Sequence, residues 1–253
     1  MKIISFSIFK GGTGKTTSTV STAAALVTKG KRVLLVDLDQ QASATRYLDL
    51  DPEATPSLYE VFMGVQSARS AIRKTSSGID VLPSHVLLAA IEEALEPGDE
   101  LRLAGLLNPL RAEYDFILID TPPGKAMLAF NGLAAADLII IPASAERMSV
   151  DGVADLITHV QKIMWSKFAL SHQELRILFT MYRTTTSHSP AVFLNARKIW
   201  RDNVLNIKIP HATAFSRSYD EKTPIGLLEP SHPGAIAYDL FADWIIKYSD
   251  ETA

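Results

Sequence analysis

The stretch Phe9-Lys10-Gly11-Gly12-Thr13-Gly14-Lys15-Thr16-Thr17 decides how the rest of the chain is read. Residues 2–8 before it form an apolar run that reads as a buried strand. A helix is expected over about 15–29, with Val20, Ala23, Ala24 and Leu26 inward and Gly30 just past its end. Glycines let successive backbone N–H groups turn inward on a phosphate, and a helix N-terminus adds partial positive charge. On that reading Gly11, Gly12, Thr13, Gly14 and Thr17 form the cradle. Lys15 reaches the β- and γ-phosphates, and Thr16 offers its hydroxyl to Mg²⁺. The plainer alternative is a glycine turn between strand and helix; three glycines in four positions followed by Lys-Thr-Thr weigh against it. The strict pattern G-x₄-G-K-[ST] is not met, because Phe9 stands where its first glycine belongs and Lys10 follows.

Outward from this loop, apolar runs recur at 32–37, 79–83, 115–120, 137–142, 175–182 and 204–210, separated by helix-length segments. Strands apolar on both faces, alternating with helices, predict an α/β fold: a mostly parallel twisted sheet covered by helices on both faces. The alternation continues end to end, so residues 1–253 are read as a single domain. The segment 49–74 carries no strong strand signal and is expected to be an insertion or a flexible connection. A last helix over 234–248 is expected to set Ile236, Leu240, Trp244 and Ile245 against the sheet.

Composition narrows the chemistry. The 253 residues are 47% hydrophobic and 21% charged with no cysteine, which excludes disulfides, thiolate zinc sites, iron–sulfur clusters and cysteine nucleophiles. The six histidines are scattered without metal-ligand spacing; His85, His159 and His211 are read as surface or loop residues. No apolar run is long enough for a membrane span, and no signal-peptide pattern opens the chain, so a cytoplasmic location is expected.

Two acidic elements accompany the loop. Asp37 and Asp39 lie in Val36-Asp37-Leu38-Asp39-Gln40-Gln41 at the end of the second apolar run. Asp120 closes Phe116-Ile-Leu-Ile-Asp120 before Thr121-Pro122-Pro123-Gly124. In a doubly wound sheet these would meet the loop at the C-terminal edge, where such folds bind ligands.

Together, the deviant loop K-G-G-x-G-K-[ST]-[ST], the D-x-D-x-Q element and the Asp120 strand resemble the ParA/MinD family of P-loop ATPases, nearest its chromosomal ParA/Soj-like branch. The likeness covers nearly the whole chain and includes Ile141–Glu146, Val150-Asp151-Gly152, Phe179–Tyr182 and Ser231–Tyr238. It implies a P-loop NTPase that uses ATP and Mg²⁺ and forms a homodimer on ATP binding. Lys10 then reaches the partner's phosphates, Asp37 positions the attacking water and supports Mg²⁺, and Asp120 holds the metal. Thr121–Gly124 acts as a γ-phosphate switch, and Met181 and Pro210 lie near the base. Gln40 replaces the family's proline, which leaves that loop less constrained.

The resemblance also implies partners. Between Arg183 and Lys222 seven basic residues face three acidic ones, a local +4 within a chain of net −3. Such a face suits nonspecific contact with double-stranded DNA, and Arg197, Arg201 and Arg217 are the candidates. A ParB-like or cargo-adaptor protein would stimulate hydrolysis, and a nucleoid-associated location follows. Two other readings stay open. A MinD-like membrane-associated regulator would need a basic amphipathic tail, whereas this tail has one lysine against two acids after residue 246. A metabolic amidoligase or synthetase of the same fold would need a second substrate pocket.

Overall fold

The computed structural model describes residues 1–145, 150–170 and 173–252, without the side chains of Val150 and Asp151. The chain runs β1 (Lys2–Phe6), α1 (Lys15–Thr28), β2 (Val33–Asp37), α2 (Ser43–Tyr47), α3 (Leu58–Phe62), α4 (Ala68–Ala71), β3 (Arg73–Lys74) and β4 (Asp80–Leu82). It continues through α5 (Leu88–Ala94), α6 (Arg102–Leu107), β5 (Phe116–Asp120), α7 (Met127–Ala134), β6 (Leu138–Ser144) and α8 (Val150–His159). A π-helical turn (Val160–Trp165), α9 (Ser166–Phe168), β7 (Glu174–Tyr182), α10 (His188–Trp200) and β8 (Val204–Pro210) follow. The helices α11 (Ala214–Asp220), α12 (Ile225–Leu228) and α13 (Pro233–Glu251) close the chain.

The strands form one eight-stranded sheet in the order β3-β4-β2-β5-β1-β6-β7-β8. Every pairing is parallel except β3 with β4, so the expected mostly parallel sheet is what forms. β1 lies between β5 and β6, and the chain winds outward from it in both directions. That arrangement opens a crevice beyond the strand ends at β1. One sheet face carries α1, α2, α12 and α13, with Ile4, Phe6, Leu26, Tyr238 and Phe241 in its core. The other carries α3 to α6 over β2, β4 and β5, and α8 and α10 over β6 and β7.

Two expectations need correction. Residues 49–74 are not a bare connection: they hold α3, α4 and the two-residue strand β3. Ser57-Leu-Tyr-Glu60 is a capping box, with Tyr59 N–H donating to Ser57 Oγ at 3.2 Å and Ser57 N–H to Glu60 at 2.7 Å. The helices are five and four residues long, too short for a periodic pattern to register.

On α13 the expected inward face holds for Ile245 and in part for Trp244 but fails for Ile236 and Leu240. Ile236 and Leu240 are 48% and 54% exposed, while Tyr238, Phe241, Ala242, Ile245 and Tyr248 are buried and Trp244 is half-buried. The helix lies against α1 and β8, and the Phe241 ring meets Phe6 edge-on at 6.4 Å. Burying each of these large side chains contributes roughly 1.5–3 kcal/mol, which decides the face.

Candidate nucleotide-binding site

Parallel register brings the acids to the loop. Asp37 of β2 is the register partner of Asp120 of β5, and Asp120 is the partner of Phe6 in β1. The loop leaving β1 therefore passes directly over both carboxylates. Gly12 and Gly14 take φ of 70° and 84°, the left-handed region that glycine enters without a Cβ penalty. Gly14 then starts α1, and from β7 the Thr180 hydroxyl donates to the Thr13 carbonyl at 2.7 Å, propping the loop from the side.

The two loop lysines differ in direction. Lys15 is buried and turned inward, its Nζ 3.4 Å from the Ile8 carbonyl. Burial lowers its pKa, against the attraction of Asp120 and Asp39. Lys10 is exposed at the rim.

Asp120 is fully buried and accepts from Thr16 Oγ1 at 2.7 Å and Thr19 Oγ1 at 3.3 Å. Burial pushes its pKa up, and Asp37 pushes it further. One carboxylate and one hydroxyl in contact at a phosphate loop fit Mg²⁺, which takes one or two protein ligands, water and phosphate oxygens. Asp120 and Thr16 are the residues that would hold it. Among the described residues no cluster of three or more His or acidic side chains offers an all-protein metal site.

Asp37 is placed differently from the expectation. Its Oδ2 accepts from the Thr45 N–H at 2.8 Å and the Thr45 hydroxyl at 2.7 Å, and its Oδ1 accepts from the Asp39 N–H at 3.2 Å. Both of its oxygens are thus engaged by Thr45 and Asp39, it is as fully buried as Asp120, and burial raises its pKa despite Thr45. Asp39 is the more open acid and lies close enough to Lys15 to feel its charge. Its side chain accepts from the Gln41 N–H at 2.9 Å, and its carbonyl accepts from Ala42 N–H at 2.7 Å and Ser84 Oγ at 2.6 Å. Those bonds fix the turn that a proline at position 40 would otherwise constrain.

The turn Thr121–Gly124 is tied to β1 and to the phosphate loop. Thr121 Oγ1 donates to the Phe6 carbonyl at 2.8 Å, and Gly124 N–H donates to the Phe9 carbonyl at 2.8 Å. Below it Gly132 of α7 admits no side chain: a Cβ there would stand 2.6 Å from Thr121 Cγ2. Beside the loop a cavity of about 490 Å³ runs from Gly14 and Thr17 to Met181, Pro210, Phe215 and Tyr219. Met181 and Pro210 both line this cavity, and Met181 holds a left-handed φ of 51°.

A family model described as an AAA domain matches residues 1–176. The chromosome-partitioning ATPase Soj of Treponema pallidum is 33% identical over 240 residues, covering 94% of this chain and 94% of that protein. The sporulation initiation inhibitor protein Soj of Bacillus subtilis is 32% identical over 241 residues, covering 94% of this chain and 95% of that protein. The chain belongs to the ParA/MinD family. A solved Mycobacterium smegmatis protein named cobyrinic acid a,c-diamide synthase, bound to an ATP analog and magnesium, superposes with a TM-score of 0.85. It is 31% identical, and the match covers 100% of this chain and 97% of that one.

For a ParA/MinD member, this chain's departures are local. Gln40 changes the surroundings of the phosphate site and leaves its bonding groups in place, while Phe9 departs only from the strict phosphate-loop pattern. The three candidate DNA arginines are not brought into one patch. Arg197 bonds Asn206, and Arg201 lies at the start of β8. Arg217, paired with Glu229, follows its other end, roughly 20 Å of strand away. Arg183 contacts His211 at 3.1 Å and does not line the base cavity. His85 lies, buried, in the loop after β4 and His211, exposed, in the loop after β8, as expected of loop or surface residues, whereas His159 is half-buried at the end of α8. Glu146 lies outside the described residues.

The residues that sequence reading missed are Thr45, Asp39 as the open acid, and Gly132. Thr45 carried a faint signal, a hydroxyl in the first turn of the helix after an acidic strand end. Gly132 carried none, since its role is set by a contact across the sheet.

Proposed function

We propose that this chain, as one ParA-like domain over residues 1–253, is a Mg²⁺-dependent ATPase that partitions DNA or positions a protein cargo. The observation that carries the reading is the divergence of the two loop lysines. Lys15 is buried beside Asp120 and serves its own site, whereas Lys10 is exposed at the rim of the loop. A cation presented outward from a phosphate loop suits a second copy facing it, so ATP assembles a homodimer with two nucleotides between the subunits. Bound Mg²⁺ neutralises charge on the phosphates. Lys15 and the left-handed glycine backbone stabilise the charge that develops on the transferred group, and Lys10 adds a cation in trans. Asp39 orients the attacking water; Asp37 positions Asp39 and supports the charge balance around Asp120.

The dimer binds duplex DNA nonspecifically through the basic β7–α11 flank. A ParB-like or cargo-adaptor partner then triggers hydrolysis and release in the cytoplasm, at the nucleoid. Membrane attachment is disfavoured by α13. Ile236 and Leu240 on its outer face are flanked by Asp239 and Asp243, which pair with Lys29 at 2.8 and 2.7 Å. No described helix is long and apolar enough to cross a membrane.

Likeness to a protein named as a diamide synthase supports an amide-forming synthetase as the second reading. Binding to random-sequence duplex DNA, titrated against salt with Mg-ATP and with Mg-ADP, separates the two. The partition reading expects salt-sensitive binding with ATP only. Equal, salt-insensitive or absent binding with both nucleotides sinks it.

A further inference from the structure

Phe9 occupies the position that strict phosphate loops give to glycine, and its surroundings give that ring a task. Its carbonyl accepts from Gly124 N–H at 2.8 Å, in the switch turn, where Gly124 takes a left-handed φ of 87°. Its ring meets Phe130 of α7 edge-on at 6.2 Å and His159 of α8 edge-on at 5.6 Å. Phe130 and His159 stack on each other at 4.2 Å with 17° between their planes. Lys125, the residue after the switch glycine, covers the Phe9 ring at 5.5 Å and pairs with Asp155 of α8 at 2.9 Å. His159 Nε2 is buried without a hydrogen-bond partner, so the imidazole serves here as a flat ring.

Four parts of the chain therefore meet at one aromatic ring: the phosphate loop, the switch turn, α7 and α8. A glycine at position 9 would keep the carbonyl bond and lose every ring contact, uncoupling the loop from α8. We infer that Phe9 is a positioning residue. It packs the phosphate loop, the switch turn and α8 into one unit, so that a nucleotide-dependent move of the switch is passed to α8. The inference rests on the nucleotide reading above and adds a route by which γ-phosphate state reaches a helix outside the site. Aromatic and ion-pair contacts suit such coupling because packed rings shift together rather than deform.

The test is hydrogen exchange on the full chain, comparing Mg²⁺ with a non-hydrolysable ATP analogue against Mg-ADP. Wild type is expected to change protection over 9–17 and over 150–160 together. In Phe9→Leu and Lys125→Met the response at 9–17 persists, while that at 150–160 shrinks at least about threefold. Phe9→Tyr, which keeps the ring, restores it. A full 150–160 response in both variants, or none in the wild type, overturns the coupling. Lys125→Met removes the cation over the Phe9 ring and the Asp155 pair while leaving the buried ring packing intact, so it decides the matter if Phe9→Leu does not fold. No response at 9–17 in the wild type would overturn the nucleotide reading, and this inference with it.

Discussion

In the centre of the sheet β1, β2 and β5 pair residue for residue, whereas the β7–β8 pairing slips twice between Ile177 and Tyr182. The centre holds Asp37 and Asp120, both buried, with Thr13 and Lys15 of the phosphate loop buried above them. The flank holds left-handed Met181, Arg201 and Lys222 and the open cavity beside the phosphate loop. Phosphate and metal chemistry tolerates little displacement, since a charge-assisted bond needs its donor within about 3 Å. A base stacked on apolar side chains tolerates more.

Three substitutions and a pH series test that contrast, from large effects to small. Lys15→Ala, at the centre, is expected to lower turnover by about 10³-fold or more, because the charge developing on phosphate loses its closest cation. Steady-state phosphate release measures it, and a loss under tenfold would show the centre less constrained than its geometry implies. Gly132→Ala should destabilise the chain by about 1–3 kcal/mol, since its Cβ must displace Thr121. Chemical denaturation reads this directly. Phe215→Ala, on the flank, should weaken ATP binding by only about tenfold, the worth of one aromatic wall in an open cavity. An effect as large as that of Lys15→Ala would erase the distinction between the two regions.

The pH series has a definite sign. Burial raises the pKa of Asp120 and Asp37 in the folded chain, so the folded state holds protons that the unfolded state releases. Their contribution to stability is therefore complete below the ordinary carboxylate value of about 4 and is lost as pH rises through the raised values. Without nucleotide and Mg²⁺, the melting temperature should fall as pH rises from about 4 through neutrality. Saturating Mg-ATP should flatten the fall, and Asp120→Asn should shrink it. A nucleotide-free chain that gains stability over this window in both forms would contradict the burial seen here.

Much of the centre was legible in the sequence for a physical reason. Phosphate binding demands particular residue types at fixed spacing, and apolar strands buried on both faces announce a parallel sheet. What stayed hidden depends on contacts distant in the chain. Thr45 closes over Asp37 and leaves Asp39 as the open acid, a distinction that D-x-D spacing alone cannot make. Gly132 is read only against Thr121, and the α13 face only against α1 and β8. Residues 49–74 fold because Ser57 and Glu60 cap a helix too short to show a period.

The outward lysine makes the central claim, that ATP joins two copies across their phosphate loops. Sedimentation velocity with saturating Mg-ATP, using wild type and Lys10→Ala, tests it most directly. Wild type is expected to double in mass with ATP and stay single with ADP, while Lys10→Ala dimerises weakly or hydrolyses ATP at least about 10²-fold more slowly. A wild-type chain that stays monomeric at saturating ATP, or a Lys10→Ala variant matching it in both mass and turnover, would contradict it.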